Sequence, residues 1–261
     1  MSDKISVLVP TLGSRETELK RLFESLINQK YDKLEIVIVV QDNFDLTRRI
    51  CNLYSRQLDI VYIETSQMGL SKARNIGIEK ATGDIILLSD DDCWYEKNSL
   101  KFISEFFASN AEMDILISKI YDPIGNVDYK DYPKEATSLK KKVELLSKSS
   151  IEIAFKRDKI DIKFDELFGL GARYVAGEEN DFLIRALKKG NKIQYEPVVT
   201  VYHEKKHTRE SNSQLVAKGA FYAKHFGFFV SNLVLLRDLI IKHQNNYRWF
   251  WNGYIGYKRN N

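Results

Sequence analysis

Three consecutive aspartates, Asp90, Asp91 and Asp92, are the residues of this 261-residue chain whose type and spacing most directly suggest chemistry. Adjacent carboxylates about 5–6 Å apart repel by roughly 3 kcal/mol per pair at an effective dielectric near 20. Such a run is either solvated, as a turn capping the helix that starts near Lys97, or bound to a cation. Oxygen-only ligation favours Mg²⁺ or Mn²⁺. A second acidic set, Glu178-Glu179-Asn180-Asp181, follows Gly177 and opens a helical pattern, where isolated acids would complement the helix dipole. His203 stands just beyond the last apolar run, beside the basic residues Lys205, Lys206, His207 and Arg209. Its imidazole titrates near neutrality and suits a segment facing phosphate.

The elements that must position these groups read as alternating strands and helices. Residues 84–88 (DIILL) are too apolar and branched to face solvent, so they predict a central strand whose carboxyl end carries the aspartates into a cleft. Upstream, strands are expected at 5–9, 34–40 and 59–63, with helices opening near Arg15 and spanning about 45–57 and 70–81. Leu19, Leu22, Phe23, Leu26 and Ile27 fall at helical spacing, so one face of the first helix packs on a sheet. Four alternations with short connections specify an α/β, Rossmann-like, mostly parallel sheet with helices on both faces. Downstream, a helix is expected at 95–109, a strand at 114–121, and a solvated loop with a short helix over the Lys-rich stretch 122–149. Residues 150–155 (SIEIAF) alternate like an edge strand, Gly190 stops the helix after Gly177, and two short strands follow at 192–195 and 198–202.

Composition sets the outer limits. With 44% apolar and 29% charged residues the chain is an ordinary folded protein. Only Cys51 and Cys93 are present and the start lacks a charged region followed by a long apolar core, so a cytoplasmic protein is expected. From 211 to 261 there are seven Lys or Arg against the one acid Asp238, a net +6 that leaves the other 210 residues at −2 of the chain's +4. This tail interleaves aromatic residues from Phe221 to Tyr257 with Lys224, Arg237, Lys242 and Arg248, and carries Phe229, Leu233, Leu236 and Ile240 at helical spacing. It predicts a helical extension that docks on an anionic membrane surface, on the catalytic domain or on a second subunit as a homodimer. Nucleic acid is not among the expected partners. Neither G-x-G-x-x-G after the first strand nor G-x-x-x-x-G-K-[ST] occurs, which argues against dinucleotide oxidoreductases and P-loop hydrolases.

What stands instead is an ordered set: Val9-Pro10-Thr11, Gln41-Asp42, the segment from Gly69-Leu70-Ser71-Lys72 through Ala73-Arg74-Asn75-Ile76-Gly77, Gly83-Asp84, and Ser89-Asp90-Asp91-Asp92. Over roughly residues 5–95 this set resembles the family 2 glycosyltransferases of the GT-A fold, of the bacterial polysaccharide or capsule type. The resemblance implies that Asp42 accepts a ring N–H of the donor base, that Arg74 lies near the donor diphosphate or its ribose, and that Pro10, Thr11, Asp90 and Asp91 line the donor. It implies a D-x-D pattern in Asp90 and Asp92, with Asp92 on Mn²⁺ or Mg²⁺ and Asp90 and His203 as further ligands. In the Gly177-Glu178-Glu179 segment Glu179 replaces the family's usual Asp as catalytic base, one methylene longer. Either carboxylate can take a hydroxyl proton if its reach is right, so Glu178 remains open as the base, and Glu178 or Asp181 could hold acceptor hydroxyls.

The implied protein is an inverting, metal-dependent glycosyltransferase moving a sugar from a nucleotide-diphosphate donor, a UDP-sugar by resemblance, to a hydroxyl of a polysaccharide or lipid-linked glycan. It would work in the cytoplasm or peripherally on the inner face of the cell membrane. The expected division is a catalytic domain at 1–210, with a nucleotide-sugar half at 1–95 and an acceptor half at 96–210, and a basic aromatic tail at 211–261. Two alternatives are a sugar-phosphate nucleotidyltransferase, which gives no reason for the Glu178-Glu179 region, and a non-catalytic nucleotide-sugar-binding protein, which would be expected to lose part of the acid set.

Overall fold

The computed structural model describes residues 3–205, 210–241 and 247–260, with the side chains of 238–241 and 260 outside that description. Strands β1 (Ile5–Thr11), β2 (Leu34–Val40), β3 (Asp59–Glu64) and β4 (Ile85–Leu88) alternate with helices α1 (Glu16–Ile27), α2 (Phe44–Tyr54) and α3 (Leu70–Lys80). The four strands pair in parallel in the order β3-β2-β1-β4. The continuous apolar runs of β1, β2 and β4 follow from burial on both faces, because successive strand side chains point opposite ways, while β3 at the edge is half-buried. Val7, Val9, Ile36 and Leu87 meet Leu22 and Phe23 of α1 on one side. Leu8, Val37, Val39, Ile86 and Leu88 meet Ala73 of α3 on the other.

The second half extends this sheet with β5 (Trp94–Tyr95), α4 (Ser99–Ser109), β6 (Ile115–Asp122), β7 (Val127–Asp128), β8 (Thr137–Leu139), β9 (Ile153–Lys156), α5 (Glu178–Lys188) and β10 (Ile193–Tyr202). The main order is β3-β2-β1-β4-β9-β6-β10-β5, with β7 on β6 and β8 on β10. Three details differ from the sequence reading. The expected edge strand at 150–155 is interior: β9 runs antiparallel to both β4 and β6. Its apparent alternation arose because Ser150 and Glu152 belong to a 3-10 turn ahead of the strand, where Glu152 is buried against Lys130 and Tyr132. The two short strands at 192–202 are one strand, whose register shifts between Tyr195 and Val201 absorb Pro197, a residue with no N–H for the ladder. Part of the Lys-rich loop is ordered as β8, which caps the first half of β10, and as a 3-10 turn at Lys142–Leu145.

Because β4 and β6 are both antiparallel to β9, and β10 is parallel to β6, the carboxyl ends of β1, β2, β4, β6 and β10 share one edge of the sheet. The tail forms α6 (Asn212–His225), α7 (Phe228–Ile241) and α8 (Tyr247–Asn260). Helices α6 and α8 pack backbone to backbone: a Cβ on Gly219 would stand 1.9 Å from the Phe250 carbonyl oxygen, and one on Gly253 equally close to that of Val216. Phe221, Tyr222 and Phe250 are buried in the same core as Phe164, Phe168 and Phe182. Among the described residues, much of the tail thus belongs to the same hydrophobic core as the sheet and α5. Among the described residues no helix is long and apolar enough to cross a membrane.

Candidate active site

The turn after β4 places the three aspartates on the shared carboxyl edge, and each meets a different set of partners. Asp91 accepts from Thr11 Oγ1 at 2.6 Å and from Arg15 Nη1 at 2.9 Å. Asp92 pairs with the same Arg15 nitrogen at 2.7 Å and with His203 Nε2 at 3.1 Å. Arg21 donates to the Asp92 carbonyl at 2.8 Å and stacks over Trp94, 3.6 Å from the ring centre. Asp90 pairs with Arg74 Nη2 at 3.1 Å. The mutual repulsion that a bare triple aspartate would carry is thus met by cations from the β1–α1 loop, α1, α3 and the end of β10.

The electrostatics follow from this arrangement. Burial raises the Asp90 carboxyl, with Arg74 opposing; its side chain keeps 35% of its surface open, so cleft water tempers the rise. Burial also raises Asp91, against the Thr11 bond and the Arg15 charge. Burial pulls the His203 imidazole down, but the bond to Asp92 and the charges of Asp92 and Asp90 outweigh it and leave it raised, hence more readily protonated.

Arg74 connects this cluster to the second acidic set. It is fully buried, and its other terminal nitrogen reaches Glu178 at 3.2 Å. Ser71, Arg74 and Asn75 share one face of α3, three and four residues apart. From that face Ser71 donates to the Phe168 carbonyl at 2.6 Å, while Asn75 donates to the Phe164 carbonyl at 3.0 Å and accepts from its N–H at 2.7 Å. The Phe164–Gly171 loop is thereby clamped to the donor half. Gly169, at φ +108°, is required there because a Cβ would lie 3.4 Å from the Glu178 carboxyl carbon and 3.0 Å from Ser71 Oγ. Glu178 and Glu179 begin α5, and burial together with the neighbouring Glu178 charge pushes Glu179 well above the usual carboxylate range. Glu179 lines a cavity of about 710 Å³.

Of the expected site residues, Asp42 stands after β2 as anticipated, while Pro10, Thr11, Arg74 and Asp181 are buried. Pro10 is buried inside β1 opposite Val39, so it shapes the strand and presents no surface to a ligand. Thr11 is equally buried and acts through Asp91. Asp42 sits exposed at the end of β2, accepting from the Asn43 N–H at 2.7 Å. Arg74 is an internal bridge between Asp90 and Glu178, with no surface open to solvent. Asp181 does not face an acceptor: fully buried, it holds Arg185 Nε at 2.7 Å, His225 Nε2 at 2.7 Å and Lys224. The reason is its place on α5, four residues before Arg185 and facing α6. Of the basic run after β10, Lys206, His207 and Arg209 lie outside the described residues. Arg15 and Arg21 were missed by motif reading; the signal for them was the aspartate cluster itself, which demands cations from neighbouring loops.

As a metal site the donor set is open. Asp90 is drawn to Arg74, and among the described residues no three His, Cys, Asp or Glu side chains gather into a metal-binding group. Asp92 and His203 do stand adjacent, one oxygen and one nitrogen donor. That fits Mg²⁺ or Mn²⁺, ions that commonly take one or two protein ligands and complete their shell with phosphate oxygens and water.

The sequence model of the family described as "Glycosyl transferase family 2" matches residues 6–165. The poly(ribitol-phosphate) beta-N-acetylglucosaminyltransferase TarS of Staphylococcus aureus is 29% identical over 230 residues, 84% of this chain and 39% of that protein. Glycosyltransferase GlyA of Streptococcus pneumoniae is 32% identical over 123 residues, 46% of this chain and 17% of that protein. This chain therefore spans well under half of either relative. The crystal structure of S. aureus TarS 1–349 superposes with a TM-score of 0.66 at 21% identity, covering 99% of this chain and 73% of that one. The same TarS fragment in complex with UDP-GlcNAc gives 0.68 at 22%, covering 99% and 74%. These likenesses establish the mixed α/β fold.

Proposed function

Because the chain belongs to glycosyl transferase family 2, we propose that it moves a sugar from a nucleoside diphosphate donor to an acceptor hydroxyl with inversion at the anomeric carbon. The relative TarS has been crystallised with UDP-GlcNAc, which makes a UDP-sugar the first donor to try. The observation that carries this reading is the buried Arg74, whose guanidinium joins Asp90 of the aspartate turn to Glu178 at the start of α5. One cation thus fixes the distance between a diphosphate-side cluster and a carboxylate pair suited to proton transfer.

In this reading Glu179 takes the acceptor proton as the oxygen attacks the anomeric carbon, and the bond to the leaving diphosphate breaks on the opposite face. Its raised pKa makes it a stronger base once ionised. Asp92 and His203 would hold Mn²⁺ or Mg²⁺, which when bound offsets the charge of the leaving diphosphate. Arg15 and Arg21 hold Asp91 and Asp92 in place, and Asp42 is positioned at the sheet edge to accept from the donor base. The acceptor is a glycan, polyol or lipid-linked hydroxyl. On α7, Phe229, Leu233 and Leu236 form an exposed apolar stripe through which the tail could meet an anionic membrane surface or a second subunit, and sedimentation with anionic vesicles separates the two. The reading is tested by incubation with UDP-GlcNAc and Mn²⁺: UDP should be released. Consumption of added pyrophosphate with formation of UTP and GlcNAc 1-phosphate would indicate nucleotidyl transfer instead.

A further inference from the structure

The cavity that Glu179 lines is walled by the 142–147 segment, the start of α5 and the facing sides of α6 and α7. Its lining changes character along α6. Glu210, Gln214 and Lys218 line it from just before that helix through its first turns, whereas Phe221 and Tyr222 line it in the last. Phe226, Val230 and Val234 carry the apolar wall into α7, where it ends on Arg237, and Val143 and Leu146 contribute from the 142–147 segment, next to Ser147. Asn180 fixes that segment, donating to the carbonyls of Leu145 at 2.8 Å and Lys148 at 3.0 Å, one residue from Glu179.

A wall of valine, leucine and phenylalanine cannot satisfy the hydroxyls of a glycan, and each polar group buried without a partner costs about 1–3 kcal/mol. A flat bilayer contact, in turn, needs no concavity. The stripe suited to that is the neighbouring one on α7, where Phe229, Leu233 and Leu236 are 84%, 65% and 52% exposed and do not line the cavity. We propose that the cavity binds the aliphatic portion of an amphiphilic acceptor, whose hydroxyl-bearing head group sits at Glu179. The polar end of the α6 wall and the apolar end match the two halves of such a molecule. This assignment rests on the reading of Glu179 as the base.

The test is calorimetric titration of the full chain with n-alkyl β-D-glucosides from methyl to octyl, kept below micelle-forming concentrations, with UDP-GlcNAc binding measured separately. Affinity should rise with chain length by up to about fourfold per methylene, the equivalent of roughly 0.8 kcal/mol per buried CH₂. The rise should be lost in Val143→Asp and Val230→Asp, and kept in Phe229→Asp. Val143 is 60% exposed, so an aspartate there does not threaten folding. A flat series overturns the proposal, as does a rise that persists undiminished in Val143→Asp and Val230→Asp. Equal loss in Phe229→Asp also overturns it, by moving the chain to the outer stripe. A rising series in a protein that does not bind UDP-GlcNAc would leave the cavity assignment standing and rule out UDP-GlcNAc as the donor.

Discussion

Replacing Asp181 with asparagine should destabilise the protein strongly while leaving its acceptor binding intact. Burial alone would raise this carboxyl, but the hydrogen bond from His225 and the charges of Arg185 and Lys224 outweigh it and hold the group at about 2, against an ordinary 3.8. That depression corresponds to about 2.5 kcal/mol. Since the folded value is the lower one, this contribution is complete above the unfolded pKa and is lost as pH falls from about 4 toward 2. At neutral pH, Asp181→Asn also leaves the partly buried Arg185 and Lys224 without their counter-charge, for which up to about 3–5 kcal/mol is usual. At roughly 2–4 °C per kcal/mol for a chain of this size, the melting temperature should drop by about 6–20 °C at pH 7. The assay is a thermal melt of both proteins at pH 7, paired with the acceptor KM measured well below the variant's midpoint. A drop under about 2 °C accompanied by a tenfold rise in acceptor KM would refute the reasoning and return Asp181 to the acceptor site.

Glu179→Gln should lower turnover by on the order of 10²–10⁴ with donor affinity nearly unchanged, as loss of a general base does; a larger loss in Glu178→Gln would shift the base by one residue. Because Glu179 is raised, wild-type turnover should fall as pH drops through a value above the ordinary carboxylate range, and an acid limb near pH 4 would count against it. Activity should vanish in EDTA and return with Mn²⁺ or Mg²⁺, but not in Asp92→Asn; full activity in chelator would refute the metal assignment. Truncation after Phe226 removes Phe250, which is fully buried against α6, so the shortened chain should melt markedly lower, whereas an unchanged melt would make the tail a detachable extension after all.

The first half was legible because β1, β2 and β4 are buried on both faces and α1 and α2 are short and amphipathic, so period and punctuation agree over most of Ile5 to Asp92. The second half was harder. Ser150 and Glu152 imitated the polar positions of an edge strand because the partners that neutralise Glu152, Lys130 and Tyr132, lie about twenty residues earlier in the chain. Asp181 looked like a site acid because its three partners sit on two helices, one of them 43 and 44 residues downstream at Lys224 and His225. The aromatic tail left a membrane surface, the catalytic domain and a second subunit open, because nothing local reveals that Gly219 and Gly253 let two helices close on each other and bury Phe221, Tyr222 and Phe250. In each case the deciding contact is remote in sequence, and periodicity carries no record of it.

Single displacement at the Glu179 site is tested most directly by proton NMR of the first-formed product from UDP-α-GlcNAc, with water as acceptor where no better one is supplied. The account predicts that the sugar appears first as the β anomer, with UDP as co-product, and that Glu179→Gln forms it at least a hundredfold more slowly. First appearance of the α anomer at a rate insensitive to Glu179→Gln would contradict it.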